Sequence, residues 1–169
     1  MPIIEAANID RNAASPERAD CTCGSLRKAS RRISQFYDTA LAPVGIKATQ
    51  FSILSELERL SRRGPGSRGP LTMCELAAAM VMDRSTLGHN LRPLERLKLI
   101  AVRSAADDRR KRHVRLTSKG EALLPRARRF WRQAEHRIEH VFGKEHSAEL
   151  RAVLTRIANT QELKLRQLR

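Results

Sequence analysis

The sequence predicts a mainly α fold of the α+β class, in which one short β-hairpin interrupts a series of helices. Between residues 71 and 97 two helical segments follow each other closely, and two short strand-like segments separated by an arginine-rich turn come next. A helix pair followed by a β-hairpin is the order of a winged helix-turn-helix. The chain is therefore predicted to be a winged helix-turn-helix with N- and C-terminal dimerisation helices.

The first helix of the helix-turn-helix pair is predicted to begin after Thr72. This residue stands three positions before Glu75, and at that spacing the side chain of each residue can accept a hydrogen bond from the backbone N–H of the other. The apolar residues that follow are Leu76, Ala77, Ala78 and Met80. A capping box before an apolar run is a typical helix start.

The second helix is predicted to begin after Asp83, whose carboxylate suits an N-cap. Its apolar side is a stripe at spacings of four, three and three residues: Leu87, Leu91, Leu94 and Leu97. Its opposite side consists of Ser85, His89, Arg92 and Arg96, flanked by Arg84, Thr86 and Asn90. A face made only of hydrogen-bond donors and cations suits the DNA major groove, where base edges present acceptors. This segment is therefore the predicted recognition helix.

Two segments of alternating apolar and polar residues follow, at residues 100–103 and 114–117. They predict a small antiparallel hairpin whose turn spans residues 104–113. The cations of the turn and of the second strand are Arg109, Arg110, Lys111, Arg112 and Arg115. At a hairpin tip beside a recognition helix, each cation can displace counterions that are condensed on DNA. The hairpin is therefore predicted to be a DNA-binding wing.

The helices outside the winged unit, which spans about residues 47–120, have apolar stripes of their own. These stripes occupy about residues 21–42 and 121–167, and they exceed what a module of roughly 70 residues can cover. A second copy of the chain is the simplest partner. We predict a single domain over residues 21–169 with dimerisation helices in those two segments, and a mobile N-terminal arm over residues 1–20.

The charge balance favours a polyanionic partner. The 169 residues include 33 Lys and Arg against 18 Asp and Glu, which gives a formal net charge of +15 and makes nucleic acid the leading candidate. No run of about 18 apolar residues and no secretory signal is evident, so the expected location is the cytoplasm, without a membrane span. No Ser/His/Asp set, glycine-rich phosphate loop or carboxylate pair indicates an enzyme or a cofactor.

From about residue 24 to its end, the chain resembles the multiple antibiotic resistance regulator (MarR) family of bacterial transcription factors. The motifs that support the resemblance are Asp83-Arg84-Ser85-Thr86-Leu87, Asn90-Leu91-Arg92-Pro93-Leu94-Glu95-Arg96-Leu97, Leu99-Ile100, Asp108-Arg109-Arg110, Val114-Arg115-Leu116-Thr117 and Lys119-Gly120. The resemblance implies a homodimer on a pseudo-palindromic operator in double-stranded DNA, with recognition helices in successive major grooves and wings in the flanking minor grooves. It also implies that Asp108 braces the wing and that Arg110 enters the minor groove, whose narrow, electronegative form suits a guanidinium.

Two features depart from the simplest helix pattern. Pro93 stands inside the recognition helix, where it removes a backbone hydrogen bond to the carbonyl of His89. Val81 and Met82 stand where the family commonly has a small or glycine-like turn residue. The predicted DNA-binding residues are those of the recognition helix and the wing: Arg84, Ser85, Thr86, His89, Asn90, Arg92, Arg96, Asp108, Arg109, Arg110 and Arg112.

The resemblance further implies a repressor that leaves DNA in response to a small aromatic or phenolic ligand, or to an oxidant. Aromatic residues of the outer helices could line a ligand pocket between those helices and the winged unit. The candidates are Phe36, Tyr37, Phe130 and Trp131. Ordinary core packing is the alternative for the same side chains.

Cys21 and Cys23 are the candidate redox sensor. One intervening residue is too few for a Cys-x-x-Cys redox pair or a zinc site, so no metal is expected. Peroxide-sensing members of the family place a reactive cysteine at the start of the first helix and a tyrosine about four turns later, and Tyr37 follows Cys23 by fourteen residues. Ala48 stands in place of the second tyrosine of that sensor. Buried, inert thiols are the alternative, and core packing is the expectation for Cys74.

A nonspecific, basic architectural protein that binds nucleic acid is the alternative function, because a net charge of +15 would suffice for it. The base-facing helix and the wing favour a sequence-specific regulator. The two functions differ in specificity, since a regulator prefers its operator over random DNA by roughly 10³-fold or more.

Overall fold

The computed structural model describes residues 21–62, 71–104, 112–160 and 163. Six α-helices lie in this part of the chain: α1 (Thr22–Leu41), α2 (Ala48–Ser61), α3 (Met73–Ala79), α4 (Arg84–Arg96), α5 (Ser118–Phe142) and α6 (Lys144–Asn159). Two strands, β1 (Ile100–Ser104) and β2 (Arg112–Leu116), follow α4, and a 3-10 turn at Ala42–Val44 follows α1. The order confirms the predicted winged helix-turn-helix. The predicted mobile arm, residues 1–20, lies outside the described residues.

The chain forms two compact units, Met1–Gln35 and Phe36–Arg169. Of the first unit, the structure describes residues 21–35, which are the N-terminal part of α1. Their side chains are exposed, including those of Leu26 and Ile33. The single domain predicted over residues 21–169 stays a prediction. Within the described ranges, no helix combines the length and the hydropathy that crossing a membrane requires.

The core of the second unit lies among α2, α3, α4, the hairpin and α5. Its fully buried large side chains are Leu41, Ile53, Leu54, Leu57, Leu76, Leu87, Leu94, Val114 and Leu124. On α5 the buried leucine is Leu124, whereas Leu123 is half-buried. Helix α2 is fixed at its start, since its Ala48 N–H donates to Asp38 Oδ1 at 2.7 Å.

The leucine stripe of α4 is confirmed at Leu87, Leu91 and Leu94 and is wrong at Leu97, whose side chain is 40% exposed. The helix ends at Arg96, so Leu97 no longer follows the helical spacing. The chain then turns through Lys98, which has a φ of 59°. Leu99 and Ile100 occupy the buried positions instead.

The hairpin is confirmed, with a shorter turn than predicted. Strands β1 and β2 are antiparallel, with Ile100 opposite Leu116, Val102 opposite Val114 and Ser104 opposite Arg112. Only residues 105–111 remain between the strands, so the predicted turn over residues 104–113 is too long. Thr117 belongs to the next element, because its side chain accepts a hydrogen bond from the Gly120 N–H at 3.2 Å and caps α5.

The end of α4 is joined to the start of α5 by a group of short contacts, which we call the α4–α5 seam (residues 97–99 and 117–120). The Thr117 hydroxyl donates to the Lys98 carbonyl at 2.7 Å, and Lys119 Nζ donates to the Leu97 carbonyl at 2.9 Å. The Thr117 N–H donates to the Leu99 carbonyl at 3.1 Å. A Cβ placed on Gly120 would stand 2.2 Å from that Leu99 oxygen. Only glycine allows the start of α5 to lie so close to the Leu99 backbone.

We predict that Gly120→Ala lowers the free energy of unfolding by about 1–3 kcal/mol, because the added methyl group overlaps backbone that cannot move freely. Gly88→Ala is the matched control, since a Cβ at Gly88 meets no atom of the described residues within 4 Å. That control should gain roughly 0.5–1 kcal/mol from improved helix propensity. Denaturant unfolding of both variants is the measurement, and equal midpoints for Gly120→Ala and the parent would contradict the seam.

Candidate nucleic-acid interface

The start of α4 is fixed by Asp83, as the sequence predicts. Its carboxylate accepts hydrogen bonds from the Thr86 N–H at 2.8 Å, the Thr86 hydroxyl at 2.6 Å and the Ser85 hydroxyl at 2.6 Å. These bonds, that of Ser85 first, hold the pKa of the Asp83 carboxyl well below its usual range. The carboxylate therefore stays charged at the positive end of the helix dipole.

The same contacts correct one expectation about the exposed face of α4. Ser85 and Thr86 are exposed, but their hydroxyl hydrogens point to Asp83 and leave acceptor oxygens towards solvent. Asn90 is half-buried and donates its amide Nδ2 to the Thr86 carbonyl at 2.9 Å. The prediction of a face made only of donors is therefore wrong at Ser85 and Thr86.

The cations and His89 remain on the open side of the recognition helix. Arg84, His89, Arg92 and Arg96 are all exposed. Within the described ranges, no ion pair engages Arg84, Arg92 or Arg96. Since Leu87, Leu91 and Leu94 are buried on the other side, the helix presents its polar face to whatever binds there.

The turn between α3 and α4 is tight in spite of its bulky residues. Val81 has a φ of 52°, in the left-handed region that β-branched residues rarely adopt. The turn is held by the Met82 N–H, which donates to the Ala77 carbonyl at 2.9 Å, and by the Val81 N–H, which donates to Ala78 at 3.2 Å. Helix α3 begins with the predicted capping box, in which Thr72 and Glu75 exchange hydrogen bonds.

Between α4 and the hairpin lies an open cleft of about 240 Å³, which we call the wing cleft. Its lining residues are Met73, Gly88, Leu91, Arg92, Glu95, Val102 and Arg112. Of the predicted wing residues, Asp108, Arg109 and Arg110 lie outside the described residues, whereas Arg112 is exposed on β2. Sequence reasoning missed Gly88, although a glycine inside a helix pattern was a signal that could have found it.

Three of the four candidate effector residues take part in ring pairs. The Phe36 and Tyr37 rings meet edge to face with centroids 5.5 Å apart, and Trp131 stacks on Phe51 at 6.1 Å. Phe130 and Trp131 are half-buried and pack against the core.

Tyr37 also takes part in a polar network that joins α5 to α6. Its hydroxyl donates to Glu135, which also accepts from Arg151 at 3.3 Å, and Arg151 donates to Glu139 at 3.2 Å. Burial, followed by the hydrogen bond to Glu135, raises the pKa of Tyr37. The phenol is therefore a neutral hydrogen-bond donor at physiological pH.

All three cysteines are exposed. Within this protomer Cys21 and Cys23 are therefore not buried, and the expected packing of Cys74 in the core is wrong. Cys21 stands just before α1, and its Sγ accepts a hydrogen bond from the Gly24 N–H at 3.4 Å. The first turn of α1 therefore holds one of the two neighbouring thiols in place.

An exposed polar helix above a buried leucine stripe, with a basic strand beside it, defines the molecule as a winged helix-turn-helix protein that binds DNA. No protein-family model matches the chain. Individual proteins do match it, and their similarity extends over most of the chain.

The chain is 29% identical over 134 residues to the HTH-type transcriptional regulator PecS of Dickeya dadantii, which covers 79% of this chain and 78% of PecS. The transcriptional regulator MosR of M. tuberculosis, solved in complex with DNA, is 32% identical, with a TM-score of 0.70 over 82% of this chain and 94% of MosR. The transcriptional repressor CouR, solved on a 23-mer DNA duplex, is 25% identical, with a TM-score of 0.71 over 87% of this chain and 99% of CouR. The chain belongs to the MarR family of transcriptional regulators.

Proposed function

We propose that the protein is a homodimeric repressor that binds a pseudo-palindromic operator in double-stranded DNA and leaves it in response to a small ligand or an oxidant. The observation that supports this most directly is the exposed polar face of α4, opposite Leu87, Leu91 and Leu94 in the core. A helix of this kind fits the major groove. Relatives named as regulators and a repressor favour this function over an architectural one.

The proposal assigns DNA contacts to the recognition helix and to the wing. The contacting residues are Arg84, Ser85, Thr86, His89, Asn90, Arg92 and Arg96 on α4, and Arg109, Arg110 and Arg112 on the wing, with Asp108 as the brace of the wing. Arg110 is assigned to the minor groove, where a guanidinium meets the strongest negative potential. We assign no reaction to the protein, and we place it in the cytoplasm, where bacterial DNA is found.

His89→Ala should relax base preference at one operator position, because contacts to base edges carry sequence discrimination. His136→Ala is the matched control, since His136 is also exposed on a helix but lies on α5. Randomised-site selection gives the preferred sequence, and titration at fixed salt gives the affinity. The same preferred sequence for parent and His89→Ala would show that the recognition face is misplaced. A parent protein without any preference would instead support the architectural alternative.

The dimer proposal is based on an apolar face at the end of α5 and along α6. Its side chains are between 37% and 58% exposed: Val141, Phe142, Leu150, Val153, Leu154 and Ile157. Arg151 fixes the two helices together through Glu135 and Glu139. So much exposed apolar surface on one helix pair favours a second copy as its partner.

Leu150→Glu combined with Leu154→Glu should therefore give a monomer, because two buried carboxylates at the interface would be unpaired. Affinity for a full palindrome should fall by about tenfold or more, since the second half-site no longer binds from a linked subunit. Sedimentation and operator titration are the measurements, with Glu149→Gln as the control on an exposed position of α6. A dimeric double variant, or a monomeric parent, would contradict the proposed interface.

Two routes could release the operator. A phenolic ligand remains one proposal, with Phe36, Tyr37, Phe130 and Trp131 as candidate lining residues. Oxidation is the other, and the exposure of Cys21 and Cys23 supports it. A hydroperoxide would convert one thiol to a sulfenic acid with release of an alcohol, and the second thiol would displace water to form a disulfide.

We expect an organic hydroperoxide to release the parent protein from its operator. Cys21→Ser and Cys23→Ser should each lose the disulfide and respond less, whereas Cys74→Ser should respond like the parent. Electrophoretic mobility of the protein–DNA complex, with thiol counting, is the measurement. Equal sensitivity in all four proteins, or none in the parent, would exclude this cysteine pair as the sensor.

A further inference from the structure

Asp83 controls which hydrogen-bonding groups two exposed hydroxyls can offer. Ser85 Oγ and Thr86 Oγ1 each lie 2.6 Å from a carboxylate oxygen of Asp83, and each donates its hydrogen to that oxygen. A hydroxyl has one hydrogen and two lone pairs, so both hydroxyl oxygens are left as acceptors. Hydrogen bonds from a hydroxyl to a carboxylate are short and roughly twice as strong as bonds between neutral groups. The first turn of α4 therefore presents two acceptors to solvent.

The same arrangement is unsuitable for a contact with a DNA phosphate. A hydroxyl binds a phosphate oxygen by donating its hydrogen, but the hydrogens of Ser85 and Thr86 are already bound to Asp83. Their release would break a charge-assisted bond and would bring a second anion close to the carboxylate. Among the residues that the structure describes, no cation forms an ion pair with Asp83 that would offset this repulsion. The two oxygens therefore suit a donor instead of the DNA backbone.

The donors on base edges in the major groove are amino groups. Adenine presents its N6 amino group there and cytosine its N4 amino group, whereas guanine and thymine present acceptors at O6 and O4. We propose that Asp83 determines base specificity by holding Ser85 and Thr86 as acceptors, so that the first turn of α4 selects adenine or cytosine. Asp83 is a positioning residue, because it acts through the two hydroxyls. This inference rests on the proposed function, since it requires the first turn of α4 to lie in the major groove.

The positioning role of Asp83 is separable from its role as the N-cap of α4. The cap is the bond that the Thr86 N–H donates to Asp83 Oδ1 at 2.8 Å, and asparagine caps helices about as well as aspartate. In Asp83→Asn the amide oxygen can keep that bond, while the amide NH₂ group replaces Oδ2, the acceptor of the Thr86 hydroxyl. The NH₂ group can only donate. The Thr86 hydroxyl then accepts from it and directs its own hydrogen outwards.

Randomised-site selection tests this change of polarity. Thr86→Val, which removes the hydroxyl, identifies the operator position that Thr86 reads, and the parent should select adenine or cytosine there. Asp83→Asn should lose that selection and accept guanine or thymine, while denaturant unfolding should show a much smaller loss of stability than in Asp83→Ala. Glu121→Gln makes the same change from carboxylate to amide in the first turn of α5, and it should keep the parent's preference.

Base analogues test the same contact from the DNA side. Where the selected base is adenine, purine lacks the N6 amino group and 7-deazaadenine lacks the N7 acceptor. The parent should lose roughly twofold to tenfold in affinity with purine, as expected for one hydrogen bond, and should bind 7-deazaadenine as it binds adenine. Where the selected base is cytosine, 2-pyrimidinone lacks the N4 amino group and should cause the same loss. Asp83→Asn should be less sensitive to purine or 2-pyrimidinone than the parent.

Three results would overturn the inference without affecting the proposed function. The first is an unchanged base preference in Asp83→Asn, which would show that Asp83 serves only as a cap. The second is selection of guanine or thymine by the parent at the position that Thr86 reads, or a preference that Thr86→Val leaves unchanged at every position. The third is a parent that is sensitive to loss of N7 and insensitive to loss of the amino group. A parent that prefers no sequence would contradict the proposed function, and the inference would fail with it.

Discussion

The α4–α5 seam is the contact on which the interface depends. A recognition helix can read DNA only if its position is fixed, and α4 has just thirteen residues with which to fix itself. The carbonyls at its end, which have no helical partners, accept hydrogen bonds from Thr117 and Lys119. Gly120 then brings α5 against the Leu99 backbone. Helix α5 thus supplies hydrogen-bond partners to the end of the recognition helix and holds it in place.

The other end of α4 is capped by Asp83, and this cap changes which hydrogen-bonding groups the interface presents. One carboxylate takes up the hydroxyl hydrogens of Ser85 and Thr86, so that the first turn offers oxygens to a partner. The cations lie along the remainder of the helix. The face is therefore divided between acceptors at its start and donors further along, which is a more discriminating surface than a uniformly basic one.

Much of the fold could be predicted from local patterns. The caps at Thr72 and Asp83 and the spacing of the α4 leucines depend on residues three or four positions apart, and such signals are fully present in the sequence. The prediction that Leu97 is buried was wrong because the apolar spacing continues past Arg96, where the helix ends. The exposure of Cys74 and the direction of the Ser85 hydroxyl depend on neighbours that a linear pattern does not specify.

The site was predictable only in part. The exposed cations of α4 followed from the position of its buried stripe. The wing cleft did not, because it exists only where the hairpin returns beside Gly88, and that requires the three-dimensional arrangement of α4 and β2. The roles of Asp108, Arg109 and Arg110 still rest on the resemblance to the family, since these residues lie outside the described ranges.

The length of α5 determines how far a tilt at the α4–α5 seam displaces the other end of the helix. With 25 residues the helix is about 37 Å long, close to the roughly 34 Å between successive major grooves on one face of DNA. If α5 tilts as one body about Ser118, a tilt of about 5° at that end displaces the other end by about 3 Å. In the same way, a small shift at Glu135 or Phe142 would then rotate the start of α5, which contacts the end of the recognition helix. In a dimer, two such rotations would change the distance between the recognition helices. That distance would then no longer match the helical repeat of DNA.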